Sequence, residues 1–393
     1  MFAVIISNQK RRTTMSIFKK ESTEINRRDL LKGAAATVTL AAAGSLLTNS
    51  KALASSGEVN VLMWADYLPS EWRDEFTNKT GIKINFTGVG SNEEIISKMK
   101  TGGFDICSPT NNRSPVWADL DLLQPWDYSR ITTLKNANEF MLKLGKSEWD
   151  FGGKGSHWVP QIWGTEGIAW RTDKWKPEGM PSYGDVWSEK AKGVALIRPH
   201  SGMMGAGLYM ETIGELAPGS MWKAYKSKDD MKAVWDKVLK WCVARKGNIK
   251  EFYYDAADQK KAFMESAVVI GQTWDGPPLA LKTAGEPIAY QAPKEGALAW
   301  VDGISLAKDA KNVEQAYEFA KFCFEPGPAG KAIDKHGYNS AVKGADKHAS
   351  AQYRKNFTEA YPDDALSKLN PWPAEPKWYV DLRTEYKDKF LKA

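Results

Sequence analysis

Cysteine and histidine are scarce in these 393 residues, and each scarcity removes a class of function. Cys107, Cys242 and Cys323 stand far apart with no CxxC pair, so neither a disulfide framework nor a zinc site is expected, and they read as buried thiols. His157, His200, His336 and His348 lack metal-ligand spacing, and no serine lies in a GxSxG turn. No cofactor or metal is therefore expected. The carboxylates are scattered rather than paired, which leaves an exported hydrolase only as a remote alternative. No internal repeat is visible, and no apolar run reaches the roughly 20 residues that a membrane helix needs.

An excess of one charge sign is also missing once the first 54 residues are set aside. These begin with a basic stretch, and Asn26-Arg27-Arg28-Asp29-Leu30-Leu31-Lys32 leads into the mildly apolar Gly33–Leu47 and then Ala52-Leu53-Ala54. That order is a twin-arginine export signal, cleaved after Ala54, with Met15 as an alternative start. Nine of the 54 Lys/Arg and three of the 48 Asp/Glu fall within it, leaving 45 of each sign. The formal charge of +6 belongs wholly to the signal, so nucleic acid is not an expected partner. The destination expected is the periplasm.

What is abundant is tryptophan, with 17 residues. Four of them, Trp64, Trp163, Trp274 and Trp300, stand at the ends of β-like apolar runs beside small or acidic residues. In an open α/β sheet the carboxyl ends of strands face the ligand crevice. Several flat π faces and nearby carboxylates in one crevice suit an organic cation. The pattern predicts strands at Val59–Met63, 82–86 and 104–107, with helices at Ser70–Thr80, closed by Gly81, and from the capping box at Ser91–Glu94 to Gly102. This β-α-β-α-β opening predicts parallel pairing. Further strands are expected at 158–170, 193–197, 267–270 and 297–306, a loop at Arg198–Gly202, and helices at 205–214, 231–244, 258–266 and 312–324. The last of these is expected to stop at Pro326-Gly327-Pro328.

Trp64-Ala65-Asp66-Tyr67-Leu68-Pro69, Lys79-Thr80-Gly81-Ile82, Ser91-Asn92-Glu93, Phe104-Asp105-Ile106, Ile162-Trp163-Gly164, Pro293-Lys294-Glu295-Gly296, Trp300-Val301-Asp302 and His336-Gly337-Tyr338 follow one another in this order. The chain so resembles the bacterial periplasmic solute-binding proteins of the spermidine/putrescine type, receptors of ABC importers. The resemblance implies an α/β, two-lobed periplasmic-binding-protein fold of type II, with lobes joined by hinge strands and closing on ligand. The lobes expected are residues 55–165 with 297–345, and 166–296 with 346–393. It further implies a monomer that delivers ligand to membrane permease subunits. The family's ligand wall falls on Trp64, Tyr67, Thr110, Asn112, Tyr254, Trp274, Trp300, Asp302, Tyr338 and, more loosely, Trp372.

One departure bears on the ligand. Polyamine receptors carry acids in the segment matching Arg198–Met204, and here it reads Arg-Pro-His-Ser-Gly-Met-Met. A primary ammonium needs acceptors for its N–H donors, whereas a methylated onium head needs only aromatic faces. Arg198 and His200 suit a carboxylate at the ligand's other end. The sequence therefore leans to a methylated onium zwitterion, such as glycine betaine or dimethylsulfoniopropionate, with a polyamine as the alternative. Asp302, with Asp66, Glu166 or Asp275 as a second acid, favours the polyamine.

Overall fold

A computed structural model describes residues 57–393. The export signal, its cleavage site and Met15 lie outside the described residues. Three parallel strands come first, β1 (Glu58–Trp64), β2 (Lys83–Val89) and β3 (Ile106–Cys107), in the order β2-β1-β3. Helices Ser70–Thr80 and Asn92–Thr101 make the crossovers. Gly81 closes the first helix at φ 74°, where a side chain would be strained. Ser91 caps the second by accepting from the Glu94 amide at 3.1 Å, while the Glu94 carboxylate accepts from Gly90 rather than from Ser91.

The short β4 (Leu123–Gln124) precedes the longest strand, β5 (Val159–Arg171). A second parallel trio follows, made of β6 (Ala195–Ile197), β7 (Ile249–Phe252) and β8 (Ile270–Trp274) in the order β8-β6-β7. β9 (Ile288–Gln291) and β10 (Leu298–Ala307) return along β5, and the two-residue β11 (Asn339–Ser340) and β12 (Asn370–Pro371) pair with β5 and β10. The path β2-β1-β3-β10-β5-β8-β6-β7 thus sets two parallel trios on either side of the antiparallel pair β10-β5. This is the two-lobed α/β fold, with β5 and β10 paired at the middle of its sheet. Cys107, Cys242 and Cys323 are buried and unbonded.

Two segments differ from the sequence reading. Arg198–Gly202 is not a loop, because helix Pro199–Thr212 begins there, with Arg198 extended at its cap and Pro199 at its first position. Gly202, Gly205 and Gly207 hide this start by interrupting any apolar period. They are small because neighbours press on the helix: a Cβ on Gly205 would stand 2.1 Å from Gln272 Oε1. Likewise Pro326-Gly327-Pro328 both follows one helix, Val313–Cys323, and opens the next, Pro326–His336.

Candidate functional site

Both parallel trios aim their carboxyl ends at one cavity. β1 delivers Trp64, Asp66 and Tyr67, β3 leads to Thr110, Asn112 and Arg113, β6 leads to Arg198 and His200, and β8 ends on Trp274. β10 runs antiparallel to β3, so its opening residues reach the same level, and Trp300 and Asp302, two apart, face the same side. Glu166 on β5 lies opposite Trp274 in the sheet. Tyr338 and Trp372 complete the wall.

Three residues expected at the site are elsewhere. Trp163 is one position out of register with Gly164 and Glu166, so it faces the other side of β5 and packs on Phe357 and Tyr361, with ring centroids at 6.3 and 6.2 Å. Tyr254 is 51% exposed, while its neighbour Tyr253 turns inward and braces Trp274 edge-on at 5.5 Å. Asp275 is buried away from the cavity, accepting from Tyr361 Oη at 2.7 Å and Asn339 Nδ2 at 3.0 Å, and burial pushes its carboxyl up to about 7.

One end of the cavity is acidic and aromatic. Tyr67 donates its hydroxyl to Asp302 Oδ2 and stacks on Trp300 at 6.5 Å, with Tyr338 edge-on to both rings. Trp64 is fixed by its Nε1 donating to Ser108 O at 3.1 Å. Burial raises Asp302 to about 7 and Asp66 to about 6, against the Thr110 and Tyr67 hydroxyls beside the first and that of Tyr338 beside the second. Asp302 Oδ1, Asp66 Oδ2 and Asn112 Oδ1 are buried with no donor in hydrogen-bond geometry, although the Thr110 and Tyr338 hydroxyls stand near the two carboxyls. Such atoms cost about 1–3 kcal/mol each when left unpaired.

A basic group also lines the cavity, and the sequence reading found only part of it. Arg198 lies over the Trp274 ring at 5.1 Å, beside Glu166, whose carboxylate accepts from Trp274 Nε1 at 3.3 Å. Burial holds Glu166 above its ordinary range, opposed by Arg198. Burial and the surrounding arginines push His200 well below its usual pKa, so this ring is neutral. Arg113 and Arg383 also line the cavity, and each pairs with both Glu93 and Glu375 at 2.8–3.4 Å. Burial opposes ionisation of Glu93, but the two arginines outweigh it and hold the carboxyl at about 2. Arg113 and Arg383 carried no signal in the sequence, where an arginine after a Thr-Asn-Asn turn and one within a charged terminal helix look like solvated cations.

Among the described residues no cluster of His, Cys, Asp and Glu is arranged to hold a metal ion.

Comparison with known proteins gives the same picture. The model of the family described as bacterial extracellular solute-binding protein matches residues 71–359. The spermidine/putrescine-binding periplasmic protein of Escherichia coli K12 is 26% identical over 362 residues, 90% of this chain and 97% of the relative. The putrescine-binding periplasmic protein PotF of the same strain is 27% identical over 365 residues, 88% of this chain and 93% of the relative. A spermidine/putrescine transporter substrate-binding protein of Streptococcus pneumoniae superposes with TM-score 0.65 at 25% identity, covering 85% of this chain and 98% of that one. A putative spermidine/putrescine transporter protein of Listeria monocytogenes, at TM-score 0.69 and 23% identity over 85% of this chain and 99% of that one, shares the fold. These relatives bind solutes and are not enzymes, and the chain belongs to the bacterial extracellular solute-binding protein family.

Proposed function

We propose that this chain is the extracytoplasmic receptor of an ABC importer for a small organic amine, held through N–H groups at Asp66, Asp302 and Asn112. The observation that carries the reading is the set of three buried oxygens without donors at the aromatic end of the cavity. A protonated amine supplies N–H donors to them while its charge rests among Trp64, Tyr67, Trp300 and Tyr338. A trimethylammonium or dimethylsulfonium head supplies none and would bury these oxygens unpaired, so the methylated onium ligand that the sequence favours is set aside. The putrescine and spermidine named for the relatives are amines of this class, which supports the reading.

The lobes we assign are residues 57–165 with 297–345, and 166–296 with 346–393, so the chain crosses three times, within β5, just before β10 and after Ala345. Closure about these crossings would seal the amine from water and present the closed form to permease subunits, the receptor acting as a monomer.

Protein unfolded and refolded to remove bound solute is titrated calorimetrically with putrescine, spermidine, 4-aminobutanoate, butylamine and glycine betaine. Saturable binding by one or more of the N–H amines, with none by glycine betaine, is the expected result. Glycine betaine as the one tight binder would overturn it.

A further inference from the structure

A diamine needs a second acceptor for cations at the far end of its chain, and this cavity offers the reverse. Arg113, Arg198 and Arg383 line the cavity as well. The charges of Arg113 and Arg383 are spent on Glu93 and Glu375. Arg198 is different: among the described residues it has no carboxylate within ion-pair distance, and its one side-chain contact of this kind is the face of Trp274, at 5.1 Å. The face that would take a second ammonium by cation–π attraction is therefore already covered by a guanidinium of the protein. Glu166, the acid of this region, is engaged by Trp274 Nε1 and Gln272 Nε2. One further donor on a lining residue more than nine-tenths buried, Arg113 Nε, has no acceptor. Arg198 also caps the 14-residue helix Pro199–Thr212, whose positive end adds to the field there.

We infer that the ligand carries a carboxylate opposite its ammonium, received by the unpaired guanidinium of Arg198, so that the solute is an aliphatic ω-amino acid rather than a diamine. This rests on the amine reading above and adds the polarity of the second end. An arginine fork meets a carboxylate with two parallel N–H···O bonds, and the same fork repels an ammonium. Arg198 is thus the specificity-determining residue that separates this receptor from the polyamine type.

The test uses putrescine, butylamine and 4-aminobutanoate, which share one ammonium and one carbon chain and differ only in a positive, neutral or negative far end. Each is titrated calorimetrically into the refolded full-length mature protein, and into Arg198→Met and Arg198→Glu. For the unaltered protein the expected order of affinity is 4-aminobutanoate, then butylamine, then putrescine, with about tenfold or more between the extremes. Arg198→Met should abolish the preference, and Arg198→Glu should place putrescine first. Putrescine binding best to the unaltered protein overturns the inference and leaves the amine reading standing; no binding by any of the three overturns the inference, and the amine reading falls with it where spermidine does not bind either. The order in the unaltered protein is informative even where a variant does not fold, and circular dichroism of each variant identifies that case.

Discussion

Asp302 and Asp66 are costly residues to bury, and their raised pKa values measure that cost. In the empty cavity burial favours their neutral forms, at about 7 and about 6, while an ammonium favours the charged forms. The sign for binding follows. Above pH 8 both are ionised and ready; as pH falls through 7 and then 6 the ligand must displace a proton, and affinity drops by up to about tenfold per unit for each group below its pKa. Burial and the neighbouring arginines push His200 toward its neutral form, so it adds no opposing charge change near neutral pH. Titrations at pH 8, 7, 6 and 5 should show weakening affinity with proton release on binding, and a pH-independent constant would exclude these carboxylates from the contact. Asp302→Asn should weaken binding about 10- to 100-fold, the worth of a charge-assisted hydrogen bond. It should leave the melting temperature of the empty protein unlowered, since an amide still accepts from Tyr67 and removes a buried acid. A fall in melting temperature with unchanged affinity would make Asp302 a structural residue.

The strands explain both what was legible in the sequence and what was not. Apolar runs gave β1, β5 and β10 and the parallel β-α-β-α-β opening, because a buried strand is continuous in sequence, whereas β8 starts at Ile270, where the strand expected at 267–270 ends. Trp64 and Trp274 end their strands as read, and Trp300 starts an antiparallel one, which brings it to the same level. Trp163 went astray because alternation along a 13-residue strand turns on a single position, and β5 uses Gly164 and Glu166 for the cavity. Gly164 is itself a spacing device: a Cβ there would stand 2.5 Å from Trp300 Cζ2 and 2.6 Å from Asp275 Oδ1. Gly164→Ala should therefore push the Trp300 ring from its stack with Tyr67 and weaken binding about tenfold or more, at a stability cost of about 1–3 kcal/mol from overpacking. Calorimetry with a denaturant melt separates the two, and unaltered affinity would show that the ring position is not needed. The basic group was only half legible for a related reason. Arg383 lies some 270 residues from Arg113, and only the folded chain brings them to one wall.

At the scale of the whole molecule, Glu93, Arg113, Glu375 and Arg383 form a closed ring of four charges that ties helix Asn92–Thr101 and the turn after β3 to the C-terminal segment. With the lobes assigned as above, two members belong to each lobe, and the ring would then span the cleft and latch the closed form. Its two acids are not equivalent: the side chain of Glu375 is 0% exposed and that of Glu93 54%. Glu375→Gln leaves two guanidiniums buried without their inner partner, a change that costs about 3–5 kcal/mol in such settings and should lower the melting temperature by roughly 10 °C. Glu93→Gln exposes the same arginines to water at the rim, so its thermal cost should stay near about 1 kcal/mol or below. If the ring latches the lobes, Glu93→Gln should still speed ligand release severalfold, because opening the cleft then breaks one ion pair, Arg113–Glu375, instead of two. Stopped-flow tryptophan fluorescence during displacement reads that rate, and differential scanning calorimetry reads the stability. A release rate unchanged by Glu93→Gln, together with a large loss from Glu375→Gln, would reduce the ring to a clamp on the C-terminal segment. The split between the two variants therefore distinguishes a moving contact from a fixed one.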